Sequence, residues 1–329
     1  MKIIVPLAGK GTRLLPLTKR VPKPLVKVAG RPVMDYVMDT VAGFDVEELI
    51  VITGHLKHDV ERYITTHYKI PARFVEQKTL DGTAGAIDLA RPCVDGPVLI
   101  IFVDTLFDAD LSIINRTDAD GIIWAKEVAD YQRFGVVVTD RHGYMQRIIE
   151  KPDTPISKLA NIGLYYMKDW RTLFDGIAHV MRQPAGKGGE YYLTDAFQYM
   201  IDQGRRIRTA EVTGWYDCGK VDSLLETNRH LLETGRARGP TGPCPRCTIR
   251  PPVYIEDGVT VHDATIGPNV TIERGSYITG STITNSILGA NVRVVNSTIA
   301  DSVIGDGQVL EGKSVAANVM DAGVLAPAQ

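Results

Sequence analysis

The sequence predicts an α/β domain followed by a short parallel β-helix. Two observations carry this expectation. Through the first ~100 residues, short apolar runs alternate with amphipathic stretches, the strand–helix–strand order that builds a parallel sheet covered on both faces. Further on, Ile266, Ile272, Ile278, Ile283, Leu288, Val294, Ile299 and Ile304 recur every five or six residues, with small and polar residues between them. Such a hexapeptide period stacks short strands into a parallel β-helix, because each coil buries its aliphatic positions only against its neighbours.

In chain order, Ile3, Ile4, Val5 and Leu7 form an apolar run suited to a buried strand. Gly9, Gly11, Thr12 and Arg13 follow at once. Glycines at a strand end let backbone N–H groups close on an anion. Lys10, Arg13, Lys19, Arg20 and Lys23 place five cations within fourteen residues, and Pro16, Pro22 and Pro24 keep that loop from becoming helical. The stretch reads as a polyphosphate cradle. A Walker A loop needs four residues between its first glycine and Gly-Lys-Ser/Thr, and that spacing is absent; a dinucleotide fingerprint needs a third glycine where Leu14 stands.

A helix is expected over 32–43, from Pro32 in its first turn to Gly43 at its end. Leu49–Ile52 is a second strand, Thr53-Gly54-His55 closes it, and a helix runs on to about His67. Arg73–Glu76 is a third strand, and Val98–Val103 is a fourth, ended by Asp104. Parallel sheets take ligands at the carboxyl ends of their strands, where the glycine loop, Gln77 and Asp104 all fall. Asp104 there suits a metal or the N-cap of a helix over 106–116. From Gly121 the pattern changes to consecutive strands, Gly121–Lys126, Gly135–Thr139 and Tyr144–Ile149, with Asp140–Gly143 as a turn. Asn161–Tyr166 is another strand, and Thr194 reads as a helix cap. Trp215–Gly219 precedes a helix to about Glu233. The division expected is a domain over 1–235, a Pro/Gly-rich linker over 236–252 and the β-helix over 253–329.

Hydrophobic residues make up 44% and charged residues 23% of the 329, with a net charge of −2. That balance excludes a nucleic-acid footprint, so the basic cluster near the N-terminus is local and suits a phosphate ligand. No apolar run approaches the ~20 residues of a membrane span, and none has the form of a signal peptide, so a cytoplasmic protein is expected. Cys93, Cys218, Cys244 and Cys247 form no disulfide framework for a chain of this size. Cys244-Pro-Arg-Cys247 has zinc-knuckle spacing without a second pair, and reads as two free thiols in the linker.

Leu7-Ala8-Gly9-Lys10-Gly11-Thr12-Arg13, followed by Pro22-Lys23-Pro24-Leu25, resembles the signature of the sugar-1-phosphate nucleotidylyltransferases. Gly82-Thr83-Ala84, Glu150-Lys151-Pro152, Asn161-Ile-Gly163 and Asp217 extend the resemblance. It implies a Rossmann-like nucleotidyltransferase domain with a mixed, mostly parallel sheet, then a short left-handed parallel β-helix of about three coils at roughly eighteen residues each. It also implies transfer of a nucleotidyl group from a nucleoside triphosphate to a hexose 1-phosphate, with dTTP or UTP and glucose 1-phosphate favoured. By the resemblance Arg13, Lys23 and Lys151 are catalytic. Leu7, Ala8, Gly9, Gly11, Thr12, Gln77, Gly82 and Thr83 line the nucleotide, and Gly135, Glu150 and Asn161 hold the sugar. Asp104 and Asp217 hold Mg²⁺, although Val103 stands where the family has a glycine before the first of them.

Other readings are a catalytically weak nucleotide-sugar-binding subunit that drives assembly, a mannose-1-phosphate guanylyltransferase, and a bifunctional uridylyltransferase/acetyltransferase. His262 is the sole histidine of the repeat domain. That domain reads as an assembly or regulatory platform, and its open end favours a homo-oligomer.

Overall fold

Strands Lys2–Pro6, Glu48–Thr53 and Val98–Ile101 are buried on both faces, which is why their sequences run apolar without alternation. The computed structural model describes residues 1–316 and the backbone of residues 319–320. Its contacts divide the chain into two compact units, Met1–Lys10 with Val37–Trp215, and Gly11–Tyr36 with the chain from Tyr216 onward.

The first unit is built on a nine-stranded mixed sheet. Lys2–Pro6 lies between Glu48–Thr53 and Val98–Ile101, parallel to both, and Ala72–Glu76 continues the parallel set. Leu159–Met167 then pairs antiparallel with Val98–Ile101 and with Gly121–Glu127. Gly135–Thr139 and Met145–Glu150 form an antiparallel pair at the edge. Ile207–Glu211 runs parallel to Gly121–Glu127. Helices Thr83–Asp88, Trp170–Val180 and Leu193–Asp202 cover this sheet with a core that includes Ile87, Leu173 and Phe197.

Several local expectations change. The strand expected to reach Val103 stops at Ile101; Phe102 N–H still donates to the Gly163 carbonyl at 2.9 Å, and the chain turns at Val103 and Asp104. Asp104 lies in that turn, and Thr105–Asp108 follows as a strand. The segment expected as a helix over 106–116 becomes a 3₁₀ turn over Leu111–Arg116, capped by Asp110, whose carboxylate accepts from Ser112 N–H. Asp104 is therefore not a cap. The helix expected over 32–43 spans Val33–Thr40. Thr194 lies inside the helix that starts at Leu193, and Tyr192 holds the N-cap position.

In the second unit, the described residues form three parallel walls of five, five and four strands, an arrangement consistent with a left-handed β-helix. The expected three coils are exceeded. The repeat closes in 16 or 17 residues, and the first wall strand, Thr248–Ile249, already lies in the Pro/Gly-rich stretch. Ile266, Ile283 and Ile299 stack in one interior column, Ile272, Leu288 and Ile304 in another, and Ile278, Val294 and Leu310 in the third. Asp263, Asn269, Asn285, Asn291, Asn296 and Asp301 all take positive φ between 39° and 62°. Asn and Asp tolerate this region because their short polar side chains bond locally. The Cys244 and Cys247 thiols are free and pack against the interior columns. No helix among the described residues is long and apolar enough to cross a membrane.

Ile278→Ala removes a fully buried side chain from the middle of a column and should destabilise the second unit by about 2–5 kcal/mol. A denaturant midpoint, followed by far-UV circular dichroism, that matches the parent protein would show that the column is not a packed core.

Candidate functional site

In the second unit, the loop after the first strand folds on Gly11. This residue has φ +62°, and a Cβ there would lie 2.9 Å from Thr18 Cγ2 and 3.2 Å from Lys23 Cβ. Thr18 Oγ1 donates to the Gly11 carbonyl at 2.8 Å. The stem of Lys23 is thereby packed beneath the glycine, with Thr12–Leu14 and Lys23–Leu25 as short 3₁₀ turns on either side. Arg13 reaches Gly219, where a Cβ would lie 2.9 Å from both Arg13 Nη2 and Asp217 Oδ1. Asp217 Oδ1 accepts from Gly219 N–H at 2.7 Å and Oδ2 accepts from Ser223 Oγ at 3.2 Å. A cation and an oriented carboxylate thus meet over a residue with no side chain.

The remaining sequence-selected residues lie in the first unit. Leu7 and Ala8 are buried, and Gly54 leaves room for them, since a Cβ there would approach Ala8 to 2.9 Å. Gly9 has open space around its α-carbon. Gln77 is 7% exposed, and its Nε2 donates to Asp81 Oδ1 at 3.0 Å and to the Gly82 carbonyl at 3.3 Å. Gly82 has φ +110° and abuts the Tyr191 backbone at 2.4 Å from the Cβ position. Thr83 Oγ1 accepts from Leu193 N–H, which ties two helix starts together.

Gly135, Glu150 and Asn161, chosen from three separate strands, converge. A Cβ on Gly135 would lie 2.3 Å from Asn161 Nδ2 and 2.7 Å from Glu150 Oε2. Asn161 Nδ2 donates to the Gly135 carbonyl at 2.8 Å, and its Oδ1 accepts from the Tyr165 hydroxyl. Thr194 Oγ1 donates to Glu150 Oε2 at 3.2 Å. Burial pushes the Glu150 carboxyl above its ordinary range, while the Lys151 charge and the Thr194 hydroxyl pull it back. Lys151 Nζ lies 3.9 Å from Glu150 Oε1 and 4.9 Å from the centre of the Tyr192 ring. Its backbone has φ +44°, a strained setting for a lysine and one that clusters at working sites. Burial, then the charges of Glu150 and Asp104, raise the Tyr165 hydroxyl pKa, so Asp104 belongs to the surroundings of this cluster.

Sequence reading missed Tyr165, whereas Gly189–Asp195 resembles a family stretch near the sugar pocket in which Thr194 also reads as a helix cap. Tyr165 lies on the same strand as Asn161 but past an irregularity at Gly163, φ +81°, so simple alternation of faces does not signal the pair. The structure makes Thr194 a partner of Glu150 and not a cap. As for a metal, Asp104 and Asp217 offer hard carboxylate oxygens, the donor type Mg²⁺ takes, and Asp217 is already oriented by an amide and a hydroxyl.

The nucleotidyl transferase family model matches residues 2–234. The bifunctional protein GlmU of Methanococcus aeolicus is 33% identical over 264 residues, which are 79% of this chain. The chain spans only 62% of that relative's length. A glucose-1-phosphate thymidylyltransferase of Streptomyces antibioticus is 28% identical over 307 residues, 85% of each chain. The crystal structure of a UDP-glucose pyrophosphorylase complexed with UDP-glucose superposes with a TM-score of 0.63 at 26% identity, over 71% of this chain and 98% of the other.

Glu150 gives a pH-dependent test. Its folded pKa lies above the ordinary 4.5, so the protonated carboxyl favours the fold below that value, and the preference is lost as pH rises through the folded pKa. Glu150→Gln removes the buried charge. It should raise the melting temperature relative to the parent at pH 8 and leave it nearly unchanged at pH 4; a lower melting temperature at pH 8 would contradict the assignment.

Proposed function

This chain belongs to the nucleotidyl transferase family, and on that premise we propose that it transfers a nucleotidyl group from a nucleoside triphosphate to a hexose 1-phosphate. The observation that carries this reading is the convergence of Gly135, Glu150 and Asn161 on one small space beside Lys151. A glycine with no room for a side chain, a carboxyl and an amide suit a hydroxyl-rich ring brought against the backbone. A lysine beside them suits the ring's phosphate.

In the proposed reaction a sugar-phosphate oxygen bonds to the α-phosphorus, and the bond from that phosphorus to pyrophosphate breaks. The attacking oxygen already carries negative charge, so no base is needed, and catalysis rests on positioning and charge neutralisation. Lys151 aligns the sugar phosphate, Lys23 faces the α-phosphate and Arg13 the leaving pyrophosphate. Leu7, Ala8, Gly9, Gly11 and Thr12 line the nucleotide, the Leu7 amide itself being committed to the Ile52 carbonyl at 2.7 Å. Gln77, with Gly82 and Thr83, lies beside the base. The Gln77 amide nitrogen is committed to Asp81 and Gly82, so its carbonyl is the edge to meet a base donor. Asp104 and Asp217 are assigned to Mg²⁺, which when bound neutralises charge on the phosphates.

For substrates we assign dTTP or UTP with glucose 1-phosphate. The Streptomyces thymidylyltransferase, aligned over 85% of both chains, supports the first base, and the structural likeness to a UDP-glucose pyrophosphorylase supports the second. The reading assigns the enzyme to the cytoplasm and treats the β-helix as an assembly surface for a homo-oligomer. The likeness to GlmU favours a second reading, in which the β-helix adds acetyl transfer. Thiol release from acetyl-CoA with an amino-sugar phosphate would reveal it.

The purified chain with Mg²⁺ and glucose 1-phosphate should release pyrophosphate with dTTP or UTP ahead of GTP, ATP and CTP. Lack of release with every triphosphate and with other hexose 1-phosphates would overturn the reading. Lys23→Ala and Asp217→Ala should each lower turnover by roughly 10²–10³-fold with unchanged circular dichroism, and chelation of Mg²⁺ should abolish it. Near-normal turnover in either variant removes that residue from the mechanism.

A further inference from the structure

We propose that the β-helix is a working part of the phosphate-binding half, and that Glu273 is a positioning residue for the loop that carries Arg13 and Lys23. The inference rests on the transfer reaction proposed above and concerns contacts inside the second unit. Residues Gly11–Tyr36 cluster with the chain from Tyr216 onward rather than with the sheet whose first strand they follow.

Three contacts hold the far end of that loop. Lys27 Nζ donates to Glu273 Oε2 at 2.5 Å, and Glu273 is only 3% exposed. Ala29 N–H donates to Asn228 Oδ1 at 2.9 Å, and the same oxygen accepts from Thr271 Oγ1 at 2.7 Å. Asn228, fully buried, thus couples loop backbone to a β-helix wall. Gly30, at φ +81°, lies flat on Tyr254, where a Cβ would come within 2.2 Å of the ring.

Apolar packing holds part of this stretch, since Leu14, Leu17 and Val26 are buried. Leu17, Val21 and Leu25 face Ile287, Val303 and Ile304 across an open pocket that Lys27 and Glu273 also line. At that pocket the apolar contact is incomplete, and the polar anchors complete the placement of the loop. Glu273 is the one of these whose loss leaves a charge without its partner. Burial raises its carboxyl pKa and the Lys27 charge opposes that rise, so carboxylate and ammonium depend on each other. Lys27 lies four residues after Lys23, and the 3₁₀ turn Lys23–Leu25 connects the two with little slack. A loop held less firmly at Lys27 misplaces Lys23 against the triphosphate and leaves the sugar cluster of the first unit as it was.

The test uses the full chain and the variants Glu273→Gln, Lys27→Met and the exchanged pair Lys27→Glu/Glu273→Lys. Glu273→Gln should raise KM for the nucleoside triphosphate ten- to hundredfold while KM for the sugar 1-phosphate stays within twofold. Lys27→Met should behave alike, and the exchanged pair should recover at least part of the loss. Hydrogen exchange supplies a readout independent of activity, in which amides of residues 11–25 should exchange faster in Glu273→Gln and those of residues 121–167 should not. Equal change in both KM values, or unaltered exchange over 11–25, overturns the inference. A parent protein that releases no pyrophosphate, yet whose Glu273→Gln variant loosens 11–25, rejects the reaction and keeps the anchoring.

Discussion

A carboxylate that leaves water loses hydration that only close partners replace, and each compact unit of this protein holds one in such a place. Glu150 in the first unit meets Thr194 and Lys151; Glu273 in the second meets Lys27. Both have raised pKa values with burial as the leading cause. An apolar side chain would serve stability as well or better at such positions. That each is kept beside a candidate binding element is what ties the architecture to its chemistry.

The second constraint is steric. Gly11, Gly82, Gly135 and Gly219 each occupy a point where a β-carbon would overlap a neighbour, and at three of the four the neighbour includes a side chain from the candidate site. Lys23 lies under Gly11, Asn161 and Glu150 against Gly135, and Arg13 with Asp217 over Gly219. Glycine works here less as a flexible hinge than as an omitted side chain, through which polar groups from distant parts of the chain come together.

The β-helix obeys a different rule. Its interior needs only a column of aliphatic residues and a corner residue that tolerates positive φ, so its period is written openly in the sequence. The Asn and Asp corners, Asn285, Asn291, Asn296 and Asp301 among them, sit among the small and polar residues between the aliphatic positions, and only the structure shows their positive φ. The coils outnumber three because the walls begin at Thr248–Ile249, inside the Pro/Gly-rich stretch, and continue beyond Ile304 to Ser314–Ala316.

By itself the sequence determined what depends on residue type and local order. The apolar strands, the glycine turns, the aliphatic columns and the choice of Gly135, Glu150 and Asn161 are all of this kind, because each records a constraint of its own backbone or a motif of its own stretch. Tertiary structure decided which groups meet. Asp104 lies in a turn after a strand that ends at Ile101. Thr194 became a partner of Glu150 instead of a cap, and Lys27, one cation among many in the sequence, became the partner of a buried acid 246 residues away. Such pairings depend on distances between segments remote in the chain, and no local pattern records them.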